Sequence, residues 1–224
     1  MTHEPFSEPA AVATYATNLS RNVPGVTVLH QLTDQLLTEV VPPAGCVLVV
    51  GAGGGAELTY LADRHAEWTF DGVDPSGPML DLARETLGTH IARTTLHEGY
   101  VDQAPSGPFD AATCLLTLHF LPGEERVRTL REIRRRLRPG GPLVIFHHSV
   151  PDGPPRLRWL ERWARYASGG EGDSAGVSSR AAKMAANLPI LSPEQDETLL
   201  TQAGYGDVGM FYSALTMRGW VAYA

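Results

Sequence analysis

The chain has 224 residues, 43% apolar and 19% charged, enough for one hydrophobic core with a small appendage. Its 25 acidic against 18 basic side chains leave a formal charge of -7, which argues against a surface adapted chiefly to a phosphate backbone. The opening MTHEPFSEPAAVATY shows no basic segment followed by an apolar one, and no apolar run reaches the ~20 residues of a bilayer span, so a soluble cytoplasmic protein is expected.

In chain order, residues 1–45 begin polar and proline-rich. A helical pattern then runs through Val28, Leu29, Leu32, Leu36, Leu37 and Val40 to the stop at Pro42-Pro43. Cys46 to Val50 is a short continuous apolar run, the signature of a strand buried on both faces. Gly51-Ala52-Gly53-Gly54-Gly55 follows, then a helix from Glu57 to His65 and a second strand from Trp68 to Val73, closing at Asp74-Pro75-Ser76. A helix over Met79–Leu87, a strand over Ala92–His97 and a strand over Ala111–Leu116 come next. Glu124 to Leu137 is helical, with Val127, Leu130, Ile133 and Leu137 on one face, and Leu143 to His147 forms a fifth strand after Pro139-Gly140-Gly141. Strand and helix alternate, so a parallel sheet covered on both faces is predicted. The pattern breaks after Ser149. Residues 151–190 read as two lid helices around a flexible Ser168–Gly176 loop. A helix from Pro193 to Ala203 precedes two strands near Val208–Ser213 and Arg218–Ala222, expected as an antiparallel hairpin at the sheet edge. Cys46 and Cys114 lie in apolar runs and read as buried thiols rather than a disulfide or a metal set.

Glycines directly after a buried strand let the chain turn sharply and let a ligand approach the backbone. The next helix aims its N-terminal amides at that ligand, favouring a carboxylate or phosphate. Gly51, Gly53 and Ala56 also satisfy the dinucleotide pattern G-x-G-x-x-G/A. Asp74, closing the second strand, is placed to accept hydrogen bonds from ribose hydroxyls; its bland alternative is to cap the Met79 helix. Together the two features point to an adenosine-type cofactor.

The segments VLVVGAGGGAEL, FDGVDPSGPML, GPFDAATCLLTLHFL and LREIRRRLRPGGPLVIFHH resemble the S-adenosylmethionine-dependent methyltransferases of class I. The likeness runs from Val47 to Ile145 and resumes in the terminal AGYGDVGMFYSALTMRGWVAYA. It implies an α/β fold: a Rossmann-like doubly wound sheet of about seven strands, mostly parallel with an antiparallel C-terminal hairpin, plus a small helical lid. The whole chain, 1–224, is then a single methyltransferase domain. It divides into an N-terminal helical segment (1–45), a cofactor-binding core (46–150), a lid (151–190) and a C-terminal helix and strand pair (191–224). S-adenosyl-L-methionine is the implied cofactor: its methionine part at Gly51, Ala52, Gly53 and Gly55, its ribose at Asp74 and Pro75, its adenine near Tyr100, Val101 and Leu115.

RNVPGV, LTLHFLPGEER and the lid-to-terminus layout are also similar to the tRNA wobble-uridine carboxymethyl-transfer enzymes, which use a carboxylated cofactor. Where those carry a tyrosine after Val-Pro-Gly this chain has Val26; their acid after the third strand matches Tyr100, and their asparagine on the fourth strand matches Leu115. Arg180 lies near their carboxylate-binding arginine. These departures favour ordinary S-adenosylmethionine. A further departure concerns the whole family: the acid two residues before the first glycine, which orders the loop and contacts the cofactor's amino group, is Val49 here. Glu57 either compensates for it or is a plain first-turn charge favoured by the helix dipole.

Methyl transfer from a sulfonium needs an aligned nucleophile and excluded water more than a strong catalytic signature. His119 after the fourth strand and His147 and His148 ending the fifth are the candidates to take a proton or orient the acceptor; being satisfied polar residues is the competing reading. No spaced carboxylate joins them, so no metal is expected. Trp159, Trp163 and Tyr166 fall on one lid-helix face, either as an aromatic wall over the acceptor or as lid packing, and Arg180 is the fourth substrate candidate. Phe211, Tyr212 and Trp220 read as core. Tyr15 either folds over the cofactor or staples the N-terminal segment. Arg126, Arg128, Arg131, Arg134, Arg135, Arg136 and Arg138 read as a solvated helix face rather than an RNA patch. The leading expectation is a methyltransferase acting on a small molecule, without nucleic-acid or membrane partners, with a homodimer left open. The alternatives are a nicotinamide-dependent oxidoreductase, a non-catalytic cofactor-binding regulator and a tRNA-modifying enzyme.

Overall fold

The structure is a computed structural model that describes residues 9–170 and 173–224; the side chains of residues 9–11, 13 and 15–17 fall outside it, and with them the Tyr15 ring and Gly172. Two helices precede the sheet, α1 (Pro9–Asn22) and α2 (Val26–Thr38). The core then runs β1 (Cys46–Val50), α3 (Ala56–Arg64), β2 (Thr69–Asp74), α4 (Gly77–Leu87), β3 (Thr94–Glu98), β4 (Ala111–Leu115), α5 (Gly123–Arg136) and β5 (Pro142–His148). The lid is α6 (Pro155–Ala167) and α7 (Ser174–Asn187), followed by α8 (Pro193–Gln202), β6 (Gly206–Ala214) and β7 (Met217–Tyr223). The sequence pattern had shown no separate helix over α1.

Seven strands form one sheet in the order β3-β2-β1-β4-β5-β7-β6. β1 to β5 are parallel, whereas β7 runs antiparallel to both β5 and β6. The strand order reverses beside β1, where an open α/β sheet leaves its ligand crevice at the carboxyl ends of the strands. Alternation along β1 explains the layering. Val47 and Val49 join an apolar cluster with α2, α3 and α4 through Leu29, Leu37, Leu58, Leu61 and Leu80. Leu48 and Val50 face the other side, with Leu130 and Ile133 of α5 and Leu200 of α8. A smaller third cluster holds the lid together around Leu160, Trp163, Val177, Ala181 and Met184.

Two expectations about surface and thiols need correction. Arg126 and Arg136 are buried, not part of a solvated face: Arg126 is 0% exposed and Arg136 2%. Arg126 donates from Nη1 to Asp196 of α8 at 2.7 Å and from Nε to the Leu121 carbonyl at 2.9 Å. Helical periodicity placed it on the polar side, but α8 folds a buried carboxylate onto that side. Arg128 and Arg135 do stay at the surface, paired with Asp102 and Glu132. Cys114 is buried and Cys46 only half-buried; both are free.

Candidate cofactor and acceptor site

The glycine loop closes β1 by borrowing hydrogen bonds from β2. The amides of Gly51 and Ala52 both donate to the Val73 carbonyl, at 2.8 and 3.0 Å. Gly51 has φ +80°, and a Cβ there would sit 2.0 Å from Thr117 Oγ1. Gly55 has φ +81° and would drive a Cβ to 3.0 Å from the Ala83 Cα, so α3 and α4 meet across it. These positions demand glycine on both backbone and steric grounds. No side chain caps the N-terminus of α3, so its first amides point out of the loop.

Asp74 is tied into this loop rather than into α4. Its Oδ2 accepts from the Gly53 amide and its Oδ1 from the Ser76 amide, each at 2.9 Å. The cap of α4 is Ser76, whose Oγ accepts from the Met79 amide. A carboxylate accepts up to about four hydrogen bonds, so these two amides do not by themselves bar a ribose hydroxyl. Pro75 follows at the crevice edge. Across the crevice, Tyr100 is largely exposed, Val101 buried, and Leu115 buried at the end of β4.

A narrow cavity of about 30 Å³ opens behind the loop, lined by Gly51, Ala52, Ala56, Glu57, Leu115 and Leu116, with His30 and Leu29 from α2 and Leu19 from α1. Leu116 adopts φ +57° at its lip, a conformation that costs a non-glycine residue stability and clusters at functional sites. Burial pushes the Glu57 carboxyl up to about 7, with the Thr113 hydroxyl beside it offsetting part of that rise. Burial pushes His30 down to about 4, leaving it neutral. A buried carboxyl with an unpartnered oxygen, an uncapped helix and a second carboxylate at the strand end fit a ligand with a zwitterionic end and hydroxyls, as the amino acid and ribose of S-adenosylmethionine provide. The pattern of the sequence had shown Glu57 only as a possible substitute and had not shown His30 or Leu116.

The histidine candidates lie beside the lid. His119, His147 and His148 are brought together, with ring centroids 4.9 Å apart for His119–His148 and 6.5 Å for His119–His147. All three are buried. His148 Nδ1 shares a hydrogen bond with Thr216 Oγ1 at 2.8 Å, and its ring stands edge-on to Trp163 at 5.0 Å. His147 Nδ1 meets the His148 carbonyl, and its Nε2 lies 3.8 Å from Asp196. Burial lowers all three pKa values, that of His148 to about 3. Among the described residues no group of three or more His, Cys, Asp or Glu side chains is placed to hold a metal.

The three lid aromatics do not form one wall. Trp163 turns inward, 7% exposed, and donates from Nε1 to the Asn22 carbonyl at 2.8 Å. Trp159 packs on the lid cluster under the Arg162 guanidinium. Tyr166 faces an outer groove with Arg158, Arg162 and Arg165. A ring at the first and fifth positions of a helix stretch shares a face in projection, but α7 and α1 cover only part of that face. Arg180 of α7 stacks over Trp163 at 4.7 Å and donates to Asn22 Oδ1 at 3.0 Å.

Against known proteins, a methyltransferase-domain family matches residues 47–141. The chain is 26% identical to the carboxy-S-adenosyl-L-methionine synthase of Chromohalobacter salexigens over 95% of its own length and 80% of the relative's. For the enzyme of the same name from Shewanella amazonensis the figures are 27%, 91% and 86%. Among solved structures, the CurJ carbon methyltransferase superposes with a TM-score of 0.70 at 18% identity, covering 97% of this chain and 61% of that one. The Haemonchus contortus phosphoethanolamine N-methyltransferase 2, in complex with S-adenosyl-L-methionine, gives 0.69 at 16%, covering 96% and 57%. The structural neighbours share the fold and are longer chains. The domain match lies over the glycine loop, Asp74 and β4, and together with the relatives and the shared fold it supports a class I S-adenosylmethionine-dependent methyltransferase with S-adenosyl-L-methionine as cofactor.

Proposed function

We propose that this methyltransferase acts on a small acceptor that carries an anionic group and lies under the lid beside Arg180. The observation that carries this reading is Arg180 itself. Its guanidinium is partly buried against Trp163, is held by Asn22, and has no carboxylate in ion-pair range among the described residues. Burial first, and then the positive charge of Arg21, lower its pKa. The mutual repulsion of the two cations would be relieved by an anion beside Arg180.

When bound, the cofactor supplies a methyl already activated on a sulfonium. The protein's own contribution is to orient the partners and keep water out. Gly51, Ala52, Gly53 and Gly55 frame the methionine end, Asp74 and Pro75 the ribose, and Tyr100, Val101 and Leu115 the adenine side. His119, His147 and His148 are poor bases near pH 7 because burial favours their neutral forms. An acceptor that arrives as a ready nucleophile suits this site best. The test is a methylation screen of small acids read by mass spectrometry. Arg180→Met is expected to raise the acceptor KM by about tenfold or more, the worth of one charged hydrogen bond, with S-adenosylhomocysteine affinity unchanged. Turnover of neutral acceptors only, insensitive to Arg180→Met, would remove the reading.

The near full-length likeness to carboxy-S-adenosyl-L-methionine synthases favours a second reading, in which Arg180 faces a carboxyl group carried by the cofactor. Val26, Tyr100 and Leu115, standing where carboxylated-cofactor enzymes carry tyrosine, acid and asparagine, weigh against it. Mass spectrometry of the cofactor that copurifies with the protein separates the two.

A further inference from the structure

Val49 is 0% exposed within the apolar cluster under α2 and α3, so the end of β1 offers no acid to the loop. Its register partner on β4 is Thr113. The carboxyl beside Thr113 is that of Glu57, reaching in from the first turn of α3. A carboxyl missing from one strand is thus restored one strand away, from a helix.

Its surroundings have no use for a bare charge. Glu57 Oε1 is buried without a well-formed hydrogen bond, and the Thr113 hydroxyl beside it compensates only part of its burial. Orphaned buried polar atoms are rare and need an explanation, often a ligand. Glu57 lines the cavity of about 30 Å³ behind the glycine loop, room for one small polar group. The uncapped amides of α3 open on the same loop and favour a carboxylate. An anion-binding helix end beside a lone acceptor matches the two ends of an α-amino acid.

We propose that Glu57 accepts the α-ammonium group of the cofactor's amino-acid end, a role this chain gives to α3 instead of β1. The proposal rests on the glycine loop being the cofactor site. The groups around Glu57 are His30 from α2, which lines the same cavity and meets the Tyr60 ring, the Thr113 hydroxyl, and Cys114 from β4. His30 is neutral, and the thiol of Cys114 is pushed up to about 12 by burial and by Glu57 itself. None of them neutralises a Glu57 carboxylate, so the free protein holds it partly as the acid near pH 7. An arriving ammonium stabilises the carboxylate, the O–H bond breaks, and the proton leaves to solvent while the ammonium keeps its own.

Calorimetry of the full chain in buffers of different ionisation enthalpy tests this without any variant. Binding of S-adenosylhomocysteine is expected to release about one proton at pH 6 and almost none at pH 8.5. 5′-Methylthioadenosine, the same nucleoside without the amino-acid end, releases none. Glu57→Gln is expected to lower S-adenosylhomocysteine affinity by about tenfold or more, abolish the proton release, and leave 5′-methylthioadenosine within about twofold. No proton release from the wild type overturns the proposal. So does an equal loss of both ligands in Glu57→Gln, which would make the residue a support for the loop. A wild type that binds neither nucleoside removes the loop as cofactor site, and the proposal with it.

Discussion

The two sides of the crevice are built by opposite means. The cofactor side is backbone: glycine φ angles, amides of Gly51 and Ala52 on one carbonyl, and Asp74 bonded to residues within about one strand–helix–strand unit. The lid side is side chains drawn from far along the chain. Trp163 reaches Asn22, His148 reaches Thr216, and Arg126 reaches Asp196. The first side tolerates little change in backbone but leaves ligand-facing groups accessible. The second uses its polar groups to hold itself shut, so its substitutions register in stability before they register in chemistry.

The largest expected effect is acid sensitivity, and it tests the buried titratable groups on both sides. His30, His119, His147 and His148 have folded pKa values below the unfolded value of 6.5. Between those values the unfolded chain binds the extra protons, so stability falls as pH drops from about 6.5. His30 and His148, held at about 4 and about 3, each cost roughly 2–3 kcal/mol by pH 4.5, and His119 and His147 act in the same direction. Glu57 acts oppositely: its folded pKa of about 7 lies above the unfolded value, so it returns a similar amount over the same range. Urea melts from pH 7 to 4.5 should show a net loss in the wild type and a steeper one in Glu57→Gln. A flat profile would mean that the histidine cluster is solvated.

Arg126→Met comes next. It strands the buried Asp196 carboxylate and should cost about 3–5 kcal/mol in thermal or urea unfolding. The double variant Arg126→Met/Asp196→Leu should recover much of that loss, because it removes the uncompensated charge. If the single variant is neutral, the pair contributes nothing to joining α5 to α8.

Asp74→Ala probes the cofactor side. S-adenosylhomocysteine affinity should fall by about 1–3 kcal/mol through loss of a charged acceptor and of the Gly53 amide's partner. Unchanged affinity in a folded variant would remove the ribose assignment. The smallest effect is Trp163→Phe, which keeps the packing but deletes the Nε1 bond to Asn22 for about 1 kcal/mol. A change in acceptor KM larger than that, with cofactor affinity intact, would show that the inward ring also touches the acceptor.

The elements were legible because their signals are local. Cys46–Val50 and the glycines after it, Ser76 before the Met79 helix, and the Pro139-Gly140-Gly141 stop each act within a few residues. Asp74 was legible as a ligand acceptor, but its bonds to Gly53 and Ser76 were not, since they depend on two loops folding onto each other. Trp159, Trp163 and Tyr166 shared a helical face in projection and were parted by what packs against it.

By itself the sequence determined the alternation of strands and helices, the glycine turn, the acid after the second strand and the antiparallel end of the sheet. Each of these follows from backbone sterics and short-range hydrophobic periodicity. Only the tertiary structure decided the states of the buried polar groups: that Arg126 is a core residue, that the histidines are neutral, and that Glu57 faces the glycine loop with an unpartnered oxygen. The physical reason is solvation. Whether a charged or titratable side chain lies in water or in the interior is set by segments tens of residues away, and no local spacing encodes it.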